Sequence, residues 1–152
     1  MRYAALALVA IFITAAQEKK PAMHHAAGTF DVKIAPQTMS DVAAGSTLGR
    51  LSIDKQYHGD LDATGKGEML TAMSPDVKNS GVYVAVERVE GALAGRKGGF
   101  ALHHTGIMNR GAQNLTVTIV PDSGTGELKG IAGTLAIKIE GGKHYYELDY
   151  TL

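Results

Sequence analysis

The sequence predicts an all-β protein, an eight-stranded antiparallel barrel that closes on itself. Three observations lead there. Eight short runs alternate apolar and polar residues with period two, the signature of strands with one buried face. The runs are separated by short stretches of Gly, Asn, Asp and Pro, which favour tight antiparallel turns. No segment holds a 3.6-residue period with helix caps.

The runs follow in order. Residues 30–34 (FDVKI) alternate cleanly, and residues 51–57 (LSIDKQY) do so with some noise. Residues 63–73 form the third run, which contains Gly65 and Gly67. Residues 81–90 are rich in β-branched side chains, and residues 99–108 form the fifth run. Residues 115–120 (LTVTIV) are the clearest strand; residues 134–140 and 144–152 complete the set. Turn chemistry falls at 58–60, 109–111, 121–124 and 140–143. A short helical intrusion is allowed only near 36–44 or 124–129. Eight antiparallel strands must protect their edges, by closing into a barrel or by forming a two-sheet sandwich. Glycines inside the strands (Gly65, Gly67, Gly99, Gly106 and Gly133) favour the barrel, because tight coiling needs kinks and bulges.

Composition narrows the function. The chain has 152 residues, with 15 Lys+Arg against 15 Asp+Glu, so no broad field attracts nucleic acid or an anionic membrane. Cysteine is absent, which excludes disulfides, thiolate catalysis and cysteine-ligated metal centres. Residues 1–16 have the order of a secretory signal peptide: Arg2, an apolar run over 4–13, then small residues ending at Ala16. Cleavage after Ala16 would leave a flexible lead at 17–26 and one barrel domain over 27–152, periplasmic or secreted, with no stable membrane anchor. The apolar run is too short for a membrane span, which needs ~20 residues.

The candidate site comes from polar residues on apolar stripes. In the fourth run Tyr83, Ala85, Glu87 and Val89 share one face; Val82, Val84, Val86, Arg88 and Glu90 share the other. In the fifth, Phe100, Leu102 and His104 share a face, opposite Ala101, His103 and Thr105. In the eighth, Tyr146, Leu148, Tyr150 and Leu152 oppose Tyr145, Glu147 and Asp149. A few polar groups among apolar walls are the usual make-up of a small-molecule pocket. Glu87 is the candidate acid/base, with Arg88 orienting or neutralising. Phe100, Leu102, His104 and Tyr146 are the candidate ligand contacts. A rim of paired, solvated charges would give the same pattern.

Other motifs carry less. His103 and His104 point to opposite faces of a strand, so one metal cannot take both without a bulge. A mononuclear site would need Glu68, Glu87 or His58 to converge, so no metal and no cofactor is expected. His24 and His25 lie in the lead and do not make a site. Gly124-Thr125-Gly126 lacks the lysine and hydroxyl residue of a phosphate loop, and no Gly-x-Ser-x-Gly elbow occurs. Asn114-Leu115-Thr116 matches a glycosylation sequon.

Four stretches together resemble a bacterial family, domain of unknown function 3224: residues 57–62 (YHGDLD), 86–91 (VERVEG), 95–106 (GRKGGFALHHTG) and 120–133 (VPDSGTGELKGIAG). The resemblance runs over about 28–152. The family pattern has Gly where this chain has Asp122, and a Gln-like residue where it has His103. The resemblance implies an eight-stranded antiparallel barrel similar to that of plant allene oxide cyclase, and no established activity. In that cyclase the barrel holds an apolar oxylipin.

The expected function is therefore a barrel that binds a small apolar or amphipathic ligand. A cyclase- or isomerase-like enzyme using Glu87 is the alternative. A third reading is a structural or interaction barrel filled solid by its own side chains. A bare Tyr or Val face would be covered in a homodimer.

Overall fold

The computed structural model describes residues 21–39 and 46–152. The expected signal peptide at 1–16 lies outside these residues, as do positions 40–44 of the first possible helical intrusion. Among the described residues there is no helix. The strands are β1 Met23–Gln37, β2 Leu48–Gly59, β3 Leu61–Met73, β4 Gly81–Leu93, β5 Arg96–Asn109, β6 Ala112–Ile119, β7 Thr125–Gly126, β8 Ala132–Glu140 and β9 Lys143–Thr151.

The order β4-β3-β2-β1-β9-β8-β6-β5 is closed by pairing of β4 with β5, so eight antiparallel strands form a barrel. The two-residue β7 hangs on β5 through Gly98↔Gly126 and Gly99↔Thr125. All eight expected runs are barrel strands. The expected turns hold the backbone conformations their residues favour: Gly59, Arg110, Gly111, Asp122, Gly141 and Gly142 all have positive φ. Asp122, where the family pattern has Gly, sits at φ 59°, a left-handed conformation that Asp tolerates better than most residues.

The structure corrects two expectations. The lead at 17–26 is not loose throughout: β1 begins at Met23, and residues 23–30 pair with β9. His24 stacks on Tyr150 at 5.3 Å, and His25 Nδ1 lies 2.8 Å from Asp149 Oδ1. The strand glycines do not mark bulges, because pairing runs unbroken from β3 to β4, from β4 to β5 and from β8 to β9. They make room instead. A side chain on Gly106 would enter the Tyr83 ring, and one on Gly65 would enter the Glu87 carboxylate.

The barrel is filled at one end and open at the other. The filled end holds Tyr57, Leu61, Leu93, Phe100, Leu102, Tyr146 and Leu148, all fully buried. Each such Leu or Phe contributes about 1.5–3 kcal/mol by leaving water. The connection between β6 and β8 folds under this end and inserts Leu128 and Ile131 as a plug. On the outside, Val82, Val84, Val86, Leu70 and Ile107 are exposed, so β4 presents its valine face to solvent.

One seam differs from the rest. β6 and β8 pair only at Thr118↔Thr134, whereas β8 and β9 pair over nine positions. Beyond that point the two strands run toward the open end without ladder hydrogen bonds between them.

Candidate functional site

The inward face of β4 is the one carrying Glu87. Register places Glu87 against Gly67 of β3 and Leu102 of β5, and Lys55 of β2 against Gly65. Ile53, Lys55 and Tyr57 project inward from β2, and Phe100, Leu102 and His104 from β5. Four polar side chains thereby meet inside the barrel.

Glu87 is 0% exposed, His104 3% and Lys55 6%. The Lys55 ammonium donates to Glu87 Oε2 at 2.7 Å and to the Tyr57 hydroxyl at 3.1 Å. Tyr57 in turn donates to Glu87 Oε1 at 2.9 Å. His104 Nε2 lies 3.2 Å from Glu87 Oε2 but off the line of a hydrogen bond, and is left buried without a hydrogen-bond partner. Lys55 Nζ also sits 4.8 Å from the centre of the Phe30 ring, a cation–π distance.

The electrostatics keep the cluster's charges in place. Burial pushes the Glu87 carboxyl up, but His104 and the ammonium of Lys55 outweigh it, and the net lies below the ordinary carboxylate value. Tyr57 is pushed well above the usual phenol range by burial and by the adjacent Glu87 charge, so its hydroxyl stays protonated. A buried carboxylate facing a buried ammonium is costly to break, because either charge left alone is stranded away from water.

Above the cluster lies a cavity of about 170 Å³ that opens at the unfilled end of the barrel. Its walls are Val32, Ile53, Met69, Leu115, Ile137 and their neighbours; Lys55 and His104 reach it from below. Gln113 and Leu115 of β6 face Ile137 and Ile139 of β8 across the unpaired seam. A larger concavity of about 680 Å³ lies on the outer surface over β2 to β5. It is shallow, and its charged residues Arg50 and Glu68 satisfy each other there, so the interior cavity is the chemically loaded one.

Several expected site residues have other roles. Glu87 is at the centre of the cluster but does not line the cavity; it is sealed beneath Lys55 and His104. Arg88 is not part of the cluster, because neighbours in a strand point to opposite faces. It donates to Glu90 Oε1 at 2.6 Å, to the Ser123 carbonyl and to Thr125 Oγ1, and so fastens the plug segment to the outer wall. Phe100 and Leu102 are inside the barrel but belong to the filled end, where they are core and not cavity wall. Tyr146 is also core: its hydroxyl accepts from the Leu61 amide at 2.8 Å and donates to the His58 carbonyl at 3.3 Å. His104 alone of the four expected ligand contacts reaches the cavity.

The groups that a metal would have needed do not converge. Glu68 pairs with Arg50, His58 with Asp31, and His103 points outward toward Thr105. Lys55 and Tyr57 were not expected in the site. Their signal was the stripe Ile53, Lys55, Tyr57, a cation between two apolar residues at period two.

Comparison with known proteins agrees with this fold. The sequence profile of a family described as protein of unknown function (DUF3224) matches residues 26–150. The chain belongs to the DUF3224 family. A DUF3224 protein of unknown function from Shewanella oneidensis MR-1, known from a crystal structure, is 46% identical to it. That alignment covers 86% of this chain and 98% of the Shewanella protein, with a TM-score of 0.79. No protein of curated function matches the chain. In this DUF3224 barrel the buried ionisable groups and the open cavity lie together, Lys55 and His104 belonging to both.

Proposed function

We propose that this DUF3224 protein is a binding barrel for a small apolar or amphipathic molecule held in the interior cavity. One observation carries the reading. A mostly apolar cavity stands open directly above a buried ionisable cluster, and one of that cluster's polar atoms, His104 Nε2, makes no well-aligned hydrogen bond. Ligand sites are commonly apolar with a few convergent polar groups. A barrel selected only for solidity would be expected to fill this half as it fills the other.

The size sets the scale of the ligand. At about 170 Å³ the cavity is below the ~300–1,000 Å³ of drug-sized sites. It is close to the ~150 Å³ apolar cavity that accepts benzene. A single ring or a short chain fits inside, with any remainder extending through the mouth.

An NMR titration with 1-octanol tests the reading. Shifts concentrated at Ile53, Met69, Leu115 and Ile137 are expected, and Ile137→Trp should abolish them by filling the space. The absence of shifts up to the solubility limit with 1-octanol, and equally with octanoate and octylamine, would overturn it. Export belongs to the same reading and rests on the order of Arg2, the apolar 4–13 run and the small residues up to Ala16. Protein recovered from an exporting bacterial host should have the mass of residues 17–152; the full-length mass would overturn that part.

A further inference from the structure

We infer that the cavity selects molecules with a carboxylate head, which Lys55 and His104 hold at its floor while the apolar tail runs toward the mouth. The inference rests on the reading of the cavity as a ligand site.

The donor and acceptor inventory at the floor is unbalanced. An ammonium has three donors. Glu87 and the Tyr57 hydroxyl take two of those on Lys55, and Lys55 lines the cavity with the third unassigned. Glu87, the one carboxylate in the cluster, accepts from Tyr57 at Oε1 and from Lys55 at Oε2 and is sealed from the cavity, so it offers no acceptor to a ligand there. His104 adds a second nitrogen, Nε2, which lies 3.2 Å from Glu87 Oε2 but makes no well-aligned hydrogen bond. An unsatisfied buried polar atom costs about 1–3 kcal/mol, which an incoming acceptor would relieve.

Charge around the cavity points the same way. Its lining contains Lys55, His104 and His144 and no acidic side chain; Tyr83 and Gln113 are the other polar groups. The Phe30 ring against Lys55 Nζ helps to hold the ammonium in place. An anionic oxygen pair meets the ammonium at the floor and no opposing carboxylate in the lining. An amine head would meet the ammonium, with only the neutral acceptors of Tyr83 and Gln113 to offset it. An alcohol can accept from the same donors but brings no charge to the ammonium, so its hydrogen bonds are weaker.

The test compares three probes of equal carbon number by calorimetry or NMR titration: octanoate, 1-octanol and octylamine. Octanoate should bind about tenfold or more tighter than 1-octanol, as one charge-assisted hydrogen bond implies, and octylamine should be weakest. His104→Leu should reduce the octanoate/octanol ratio several-fold. Lys55→Met alone strands Glu87, so the pair is removed together as Lys55→Met/Glu87→Gln, and the ratio should fall to about one. If that double variant does not fold, His104→Leu decides. Equal binding of octanoate and 1-octanol, or a preference for octylamine, would overturn the inference while leaving the cavity a ligand site. Binding of none of the three would overturn both.

Discussion

The carboxylate of Glu87 occupies the space that a side chain on Gly65 would fill. A Cβ at Gly65 would collide with Glu87 Oε1 and come within 3.0 Å of the Tyr57 ring. Lys55 is the direct strand partner of Gly65, so one missing side chain admits the whole Lys55–Glu87–Tyr57 arrangement. Gly65→Ala must displace Glu87 from its two donors or shift the backbone. Urea unfolding should show a loss of about 3 kcal/mol, near the cost of breaking a buried ion pair. Ala at a strand position with ordinary φ otherwise favours the folded state slightly, so an unchanged midpoint would mean that Glu87 is not held as described.

The ion pair itself gives a second expectation. Lys55→Met leaves a buried carboxylate with no cation, and should cost about 3–5 kcal/mol. Lys55→Met/Glu87→Gln removes both charges and should cost clearly less than the sum of the single changes. A double-mutant cycle in urea measures the difference. Additive losses would show that the two side chains do not share one electrostatic arrangement.

Much of this barrel is legible in the sequence because strand pairing leaves a period-two trace. The run 115–120 and the run 81–90 are strands on that ground alone. The start of β1 leaves no such trace: His24, His25, Ala26 and Ala27 do not alternate in hydropathy, although residues 23–30 pair fully with β9. The faces of β4 are ambiguous for another reason. Val82, Val84 and Val86 are the more apolar stripe, yet they are exposed, and Ala85, Glu87 and Val89 are buried. That choice depends on Lys55, Tyr57 and Gly65 arriving from other strands to accept a carboxylate, which is non-local information. Phe100 and Leu102 are inside as expected. Which half of the barrel they fill depends on the stagger of all eight strands and on the plug of Leu128 and Ile131, neither of which is written in β5.

Stability should depend on pH at both extremes through this cluster. The folded-state pKa of Glu87 lies below its ordinary 4.5: burial raises it, and His104 and Lys55 lower it by more. A depressed carboxyl contributes stability that is present above the ordinary value and lost as pH falls through the folded one. Tyr57 is raised well above 10.0, chiefly by burial and then by Glu87. Its contribution is therefore fully present below pH 10 and lost as pH rises beyond it. Thermal melts across pH should show that Glu87→Gln flattens the acid limb and Tyr57→Phe the alkaline limb. A Glu87→Gln variant that keeps the full acid dependence would place that dependence on other carboxylates.

The seam between β6 and β8 predicts an uneven pattern of amide exchange. Only Thr118↔Thr134 joins these strands, while Leu102↔Ile119 through Asn109↔Ala112 join β6 to β5. Along an antiparallel strand, successive amides point alternately to the two neighbours. From Ala112 to Val117, amides aimed at β5 should be protected and those aimed at β8 should exchange rapidly. On β8, the amides facing β6 near Ile137 and Ile139 should behave the same way. Amides shared between β3 and β4, where pairing is continuous over the full strands, should exchange only on global opening. Residue-resolved hydrogen exchange by NMR reads this directly. Uniform protection along β6 would mean that the seam is zipped in solution. The contrast has a consequence for binding, because Leu115 and Ile137 flank both the seam and the cavity. A bound apolar molecule that bridges them should slow exchange on both strands at once, and leave β3 and β4 unaffected.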